Sequence, residues 1–234
     1  MRYATWYVIV AGVAWIRRAW VETAEGRFED RTWAVTFGDG SPVVRRGPGM
    51  SVREGRIDDL AWSLDWIELT PPFVTPHRAL RRLAPTTMTT SPAIAVSGRI
   101  GEVTLDGAPG HTAQLAGKRH AQTWGWAHAS AADGRWLHLL TATSPRRPRV
   151  SQHATELGGP GLPFASGSVH ESDVRVGPYV ASAPPESFIG LRYLDTDSST
   201  IWCYHSEAAT VGDFTGAAME IAVREPIAGW AVEP

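Results

Sequence analysis

Short segments rich in tryptophan, valine and isoleucine recur along the whole chain, each cut off by a glycine, proline or acidic turn. That rhythm decides the fold class. Residues 3–10, 14–22, 31–37 and 60–69 are of this kind, and in 60–69 Trp62, Leu64 and Trp66 share one face. The pattern continues through 93–100, 102–106, 115–129, 136–143, 167–176, 188–194, 201–207 and 217–224. β-branched and aromatic side chains at these lengths favour strands. Phe37-Gly38-Asp39-Gly40 signals a turn, and Asp106-Gly107 and Asp133-Gly134 have hairpin chemistry. The one predicted helix is short: Thr75 as cap, Pro76 at its first position, then His77 to Leu83, stopped by Pro85. Roughly a dozen strands and one small helix predict an all-β, antiparallel barrel or sandwich, not a parallel α/β sheet.

Two proline- and glycine-punctuated stretches interrupt the pattern: Pro71 to Pro92, and Gly107 to Gly110. A boundary near Pro109 divides the chain into β units of similar size, 1–108 and 109–234. At 234 residues either one large domain or two small ones can bury a core. A net charge of -2, with 20% charged residues, carries no electrostatic footprint for nucleic acid or an anionic membrane. Cys203, the single cysteine, rules out an intrachain disulfide and a cysteine-based zinc site, and it fits a reducing compartment. The apolar run over 4–16 is too short to span a bilayer and is followed by Arg17-Arg18, without a basic leader or cleavage site. The expectation is a soluble, cytoplasmic protein.

The densest chemistry lies in Lys118-Arg119-His120-Ala121-Gln122-Thr123-Trp124-Gly125-Trp126-Ala127-His128. Read as a strand, it places Lys118, His120, Gln122, Trp124, Trp126 and His128 on one face. The other face is mostly small: Ala121, Thr123, Gly125 and Ala127. Aromatics interleaved with imidazoles and an amide describe the wall of an apolar cavity with a few placed polar groups. They equally describe a tryptophan-rich core strand with satisfied histidines. On either reading the small face predicts close packing against another layer.

His205 and Glu207 share a face as i and i+2, beside Cys203, so a carboxylate stands where it can orient an imidazole for proton transfer. Tyr204 and Ser206 take the opposite face; a solvated His and Glu is the plainer alternative. Asp65 and Glu68 lie in the strand of Trp62 and Trp66, where burial would make a carboxyl a proton donor and exposure a surface acid. Other chemistries find less support. There is no His-x-His or His-Glu-x-x-His spacing for a metal. Gly-x-Ser-x-Gly is absent, and Ala165-Ser166-Gly167-Ser168 reads as a loop. The loop Gly158 to Pro163 lacks the Lys-Ser/Thr of a phosphate cradle, and Arg146-Arg147-Pro148-Arg149 reads as a solvated turn.

Several motifs together resemble a known family. Trp6-Tyr7, Ala14-Trp15-Ile16-Arg17-Arg18-Ala19-Trp20-Val21-Glu22 and Thr32-Trp33-Ala34-Val35-Thr36-Phe37 look like the N-terminal unit of the lipocalin-like proteins grouped with carotenoid hydratase (hydroxyneurosporene synthase) and tocopherol cyclase. Asp106-Gly107-Ala108-Pro109-Gly110-His111, Gly117-Lys118-Arg119-His120-Ala121 and Trp124-Gly125-Trp126-Ala127-His128 resemble the start of that group's second unit, and Cys203-Tyr204-His205-Ser206-Glu207 a segment near its C-terminus. The resemblance spans most of a chain shorter than typical members. It implies two lipocalin-like β-barrel units packed together and a hydrophobic small molecule bound at or between them. It also implies cofactor-free chemistry: proton-initiated hydration or cyclisation of isoprenoids, or Diels–Alder-type cyclisation.

The resemblance therefore implies a cofactor-independent cyclase or isomerase acting on a terpenoid or polyketide, by shape and proton donation. The candidate proton-transfer groups are His120, Gln122, His128, His205 and Glu207. The candidate ligand wall is Trp62, Trp66, Trp124, Trp126 and Tyr204, whose π faces suit cationic character in a substrate. No cofactor or metal is assigned, and the expected partner is the hydrophobic molecule itself, with no nucleic acid and no membrane span. A non-catalytic carrier, and a hydratase that admits water to the same site, are the alternatives.

Overall fold

The computed structural model of the chain describes residues 3–10, 13–22, 28–37, 42–47, 51–57, 59–75, 86–117, 123–130, 135–144, 147–155, 159–160, 167–194, 200–225, 227–230 and 232–233. The fold is all-β, built from two antiparallel barrel-like sheets. Among the described residues no helix is long and apolar enough to cross a membrane. The predicted helix over 75–83 lies outside the described residues, apart from Thr75, which ends a strand.

The first sheet contains β1 (Tyr3–Val10), β2 (Ala14–Glu22), β3 (Phe28–Phe37), β4 (Pro42–Gly47), β5 (Glu54–Ile57), β6 (Leu60–Glu68), β7 (Phe73–Thr75), β8 (Thr86–Ile100) and β9 (Val103–Gly117). Its order is β4-β3-β2-β1-β9-β8-β6-β5, with β7 on β8. Alternation sets its interior: Val8 and Val10 from β1, Ala14 and Ile16 from β2, Trp62 and Leu64 from β6, Ile94 and Val96 from β8. Val8 stands opposite Ile16, and Trp62 opposite Ile100, so the apolar sets of neighbouring strands meet on one face. In β6 the flanking Ala61, Ser63 and Asp65 are exposed.

One expectation changes here. Asp106-Gly107 is not a hairpin turn; the chain reverses at Gly101-Glu102, and Asp106-Gly107 lies inside β9. Gly107 has φ +65° and its N–H donates to Ser97 Oγ at 3.2 Å, so the same turn chemistry serves an irregularity within a long strand. Pro109 also sits inside β9, exposed, where its missing N–H is tolerated. The chain leaves the first sheet after Gly117 and enters the second at Thr123. By compactness, one unit comprises Met1–Phe73 and Met88–Lys118, the other Val74–Thr87 and Arg119–Pro234.

The second sheet contains β10 (Thr123–Ser130), β11 (Trp136–Ser144), β12 (Arg147–Thr155), β13 (Gly159–Pro160), β14 (Gly167–His170), β15 (Asp173–Val176), β16 (Tyr179–Ser182), β17 (Ile189–Leu194), β18 (Thr200–Val211), β19 (Phe214–Val223) and β20 (Val232–Glu233). Its order is β13-β12-β11-β10-β19-β18-β16-β15-β14; β17 pairs with β18, and β20 lies parallel to β17. The sheet curls until β14 and β15 lie over β10 to β12. Gly125 marks that closure: a Cβ there would come within 2.6 Å of Val174 Cγ2 and 2.9 Å of Val169 Cγ2. Ala127 and Ala129 continue the same small face into a core with Leu137, Leu139, Val174, Tyr204, Met219 and Ile221. The small face of the β10 motif thus packs against another layer, as its composition predicted.

Candidate functional site

The second face of the same strands is buried as well, and it holds the polar chemistry. Trp124 and Trp126 alternate with Gly125 and Ala127, so they point away from the apolar core, yet they are 9% and 1% exposed. Both indole N–H groups donate to one atom, Glu220 Oε1, at 3.0 and 3.2 Å. Glu220 alternates in β19 with the core residues Met219 and Ile221 and is 3% exposed. A buried carboxyl group is costly unless hydrogen-bonded, and the two indole N–H groups supply those bonds at Oε1.

Register assembles the rest. Trp126 is the direct partner of Glu220 across β10 and β19, and Glu220 the direct partner of His205 across β19 and β18. One cross-strand row therefore reads Trp126, Glu220, His205. The indole of Trp126 and the ring of His205 lie 6.0 Å apart, centroid to centroid. His205 Nε2 is 2.8 Å from Glu207 Oε1. The β18 register shifts between Ser206 and Ala209, beside Glu207, and a strand irregularity of this kind re-aims a side chain. Ser206 Oγ accepts from the Ala208 N–H at 3.1 Å within it. The His205–Glu207 pair expected from i, i+2 spacing is formed, and His205 is fully buried rather than solvated.

His128 sits one row further along, opposite His138 on β11, with ring centroids 5.8 Å apart. It stacks on Trp136 at 6.4 Å and 16°. Burial, and then the neighbouring charge of His128, hold the pKa of His138 well below the usual imidazole value of 6.5.

The remaining predicted site residues are dispersed. His120 and Gln122 lie outside the described residues. Tyr204 faces the apolar core on the side of β18 opposite His205, its Oη accepting from the Ile227 N–H at 3.0 Å. Trp62 and Trp66 belong to the first unit. The Trp62 indole donates to Ser51 O at 3.1 Å within that unit's core, and Trp66 lies under the Arg53 guanidinium, 3.8 Å from its Cζ. Asp65 is an exposed partner of Arg53, and Glu68 accepts from Ser91 Oγ at 2.7 Å, so neither is a buried proton donor.

Sequence reasoning missed Glu220, His138 and Trp136. The available signal for Glu220 was a lone acid in the otherwise apolar Ala217-Ala218-Met219-Glu220-Ile221-Ala222-Val223. The first unit carries its own buried polar group on the face of β1, β2 and β9 opposite its core: Arg17 over Trp15 at 5.6 Å, and Tyr7 edge-on to His111 at 5.9 Å. Among the described residues no set of three or more His, Cys, Asp or Glu side chains is arranged to hold a metal ion.

No family model matches the chain. Two uncharacterised proteins of Mycobacterium tuberculosis, from strains CDC 1551 and H37Rv, are each 30% identical to it over 67% of this chain and 56% of theirs. The chain thus spans a little over half the length of the curated relatives it matches. The crystal structure of a candidate AttH from Nitrosomonas europaea superimposes with a TM-score of 0.60 at 14% identity, covering 96% of this chain and 93% of that one. The likeness settles the fold. It is lipocalin-like and all-β.

Proposed function

We propose that the protein binds a hydrophobic small molecule of terpenoid or polyketide type against the Trp124–Trp126–His128 face of its second unit. There it cyclises or isomerises the molecule without a cofactor. The observation that carries this reading is Glu220: a buried carboxylate joined to both tryptophans and standing in one row with the His205–Glu207 pair. Indole walls shape an apolar guest and stabilise cationic character at their π faces. The carboxylate–imidazole–carboxylate set can give a proton and take it back. A carrier without catalysis is the second reading. It is favoured by the hydrogen bonds within the set, since Glu220 and His205 already have protein partners that make it self-sufficient as scaffold.

Native mass spectrometry of the purified chain first identifies a co-purifying molecule by mass. Turnover of that molecule is then compared in the parent, Glu220→Gln and His205→Gln. A general acid or base is worth about 10²–10⁴-fold in rate, so at least one variant should bind normally and turn over at least about a hundredfold more slowly. Product heavier than substrate by one water marks hydration of an isoprenoid double bond at the same set. A ligand returned chemically unchanged by the parent establishes the carrier.

A further inference from the structure

Beyond β19 the chain turns back over the sheet it has just left, and Ile227 and Trp230 pack against the apolar core of the second unit. Trp230 stacks on Phe188, with centroids 4.3 Å apart and planes at 26°, and meets Tyr204 edge-on at 4.9 Å. The hydrogen-bonded fastenings of the described residues 227–230 and 232–233 are light. Ile227 N–H donates to Tyr204 Oη at 3.0 Å, Trp230 N–H closes a turn onto Ile227 O at 3.2 Å, and β20 pairs with β17 only through Gly190–Val232 and Leu191–Glu233. That pairing is parallel, slightly the weaker kind per residue. By contrast β18 and β19 share a ladder running from Trp202–Val223 to Val211–Phe214. Segments with few fastenings open locally at far lower cost than the whole fold.

One aromatic face, one aromatic edge and a hydroxyl beside them make a niche shaped for a flat ring. We propose that the niche bounded by Phe188 and Tyr204 is a binding site for a neutral, planar aromatic molecule of one or two fused rings. Trp230 fills it as an intrachain stand-in until a guest displaces residues 227–230. This is a different place from the Trp124–Glu220–His205 face, because Tyr204 and His205 are consecutive in β18 and point to opposite sides. Burial pushes the Tyr204 phenol above its ordinary value of 10, so it stays protonated at neutral pH and can donate to an oxygen of the guest.

An internal occupant lowers apparent affinity by the fraction of time it leaves the niche. Isothermal titration of 2-naphthol into the full chain and into Trp230→Ala should therefore show at least about tenfold tighter binding in the variant, with indole competing. In the parent, the Ile227 and Trp230 amides should exchange with deuterium sooner than those of Tyr204 and Ile221. Equal 2-naphthol affinity in parent and variant, or exchange of both segments at one rate, overturns the proposal. If Trp230→Ala fails to fold, Ile227→Pro leaves Phe188 and Tyr204 in place and removes the N–H donated to Tyr204 Oη. It should raise 2-naphthol affinity several-fold, and no rise overturns the proposal. Trp124→Ala, on the other face, should leave 2-naphthol binding unchanged, so the two sites fail or stand separately.

Discussion

At the scale of single residues, the surroundings of His138 displace its chemistry. It is buried, faces His128, and resists protonation in the folded state. In the unfolded chain it titrates near 6.5, so below that pH the unfolded state binds a proton that the folded state refuses. Stability is then present above about pH 6.5 and declines as pH falls toward the lowered folded value, by at most about 1.4 kcal/mol per pH unit for one group. Urea melts at pH 7 and pH 5 should show the parent losing stability, and His138→Gln losing less over the same interval. An identical loss in both would assign the acid sensitivity to other groups. Glu220 teaches the complementary lesson. Its neighbours in sequence are alanine, methionine and isoleucine, and nothing local announces that two indoles more than ninety residues away will both donate to it.

At the scale of elements, β10 is the strand on which both faces matter. Its small face is dictated by the approach of β14 and β15 at Gly125. Its large face is held to β19 through Glu220. Truncating a fully buried tryptophan to alanine costs about 3–5 kcal/mol, so Trp126→Ala should report on the fold more than on a ligand. Trp124 is less enclosed, and Trp124→Ala should weaken ligand binding more than it lowers the melting temperature. Gly125→Val adds methyl groups where Val174 already lies and should destabilise by about 1–3 kcal/mol through overpacking, with the Trp124 face untouched. Thermal melts set beside binding isotherms for these variants separate wall from core. Equal losses of stability and binding in Trp124→Ala would make that residue core. Strand positions were legible because the period-2 pattern is local. The hairpin expected at Asp106-Gly107 was misplaced because the same dipeptide supplies a positive φ either in a turn or within a strand, and only the run of neighbouring pairs chooses between them.

At the scale of the molecule, each sheet is assembled by pairings between residues far apart in sequence. β1 pairs with β9 through Val8–Thr112, and β10 with β19 through Trp126–Glu220. With strands nearly throughout the described residues, far-ultraviolet circular dichroism should be dominated by β signal, with helix below about one fifth, under the usual share for soluble domains. A helix-dominated spectrum would contradict the architecture. The candidate site depends on the same long-range pairing, since β10, β18 and β19 bring their side chains into one row only when β10–β19 and β19–β18 are both paired.

The sequence by itself determined the all-β class and the small and large faces of β10, because each depends on alternation within strands; it put His205 and Glu207 on one face and left open whether they pair or are solvated. It could not determine register between distant strands. A one-residue slip would turn Glu220 to the opposite face of its sheet, and no local pattern forbids it. The fit of Gly125 against Val174, and the burial of both faces of β10 and β19, select the pairing that places Glu220 between Trp126 and His205. That choice belongs to the tertiary structure, because the energy that decides it comes from packing side chains nearly a hundred residues apart, which no single segment carries.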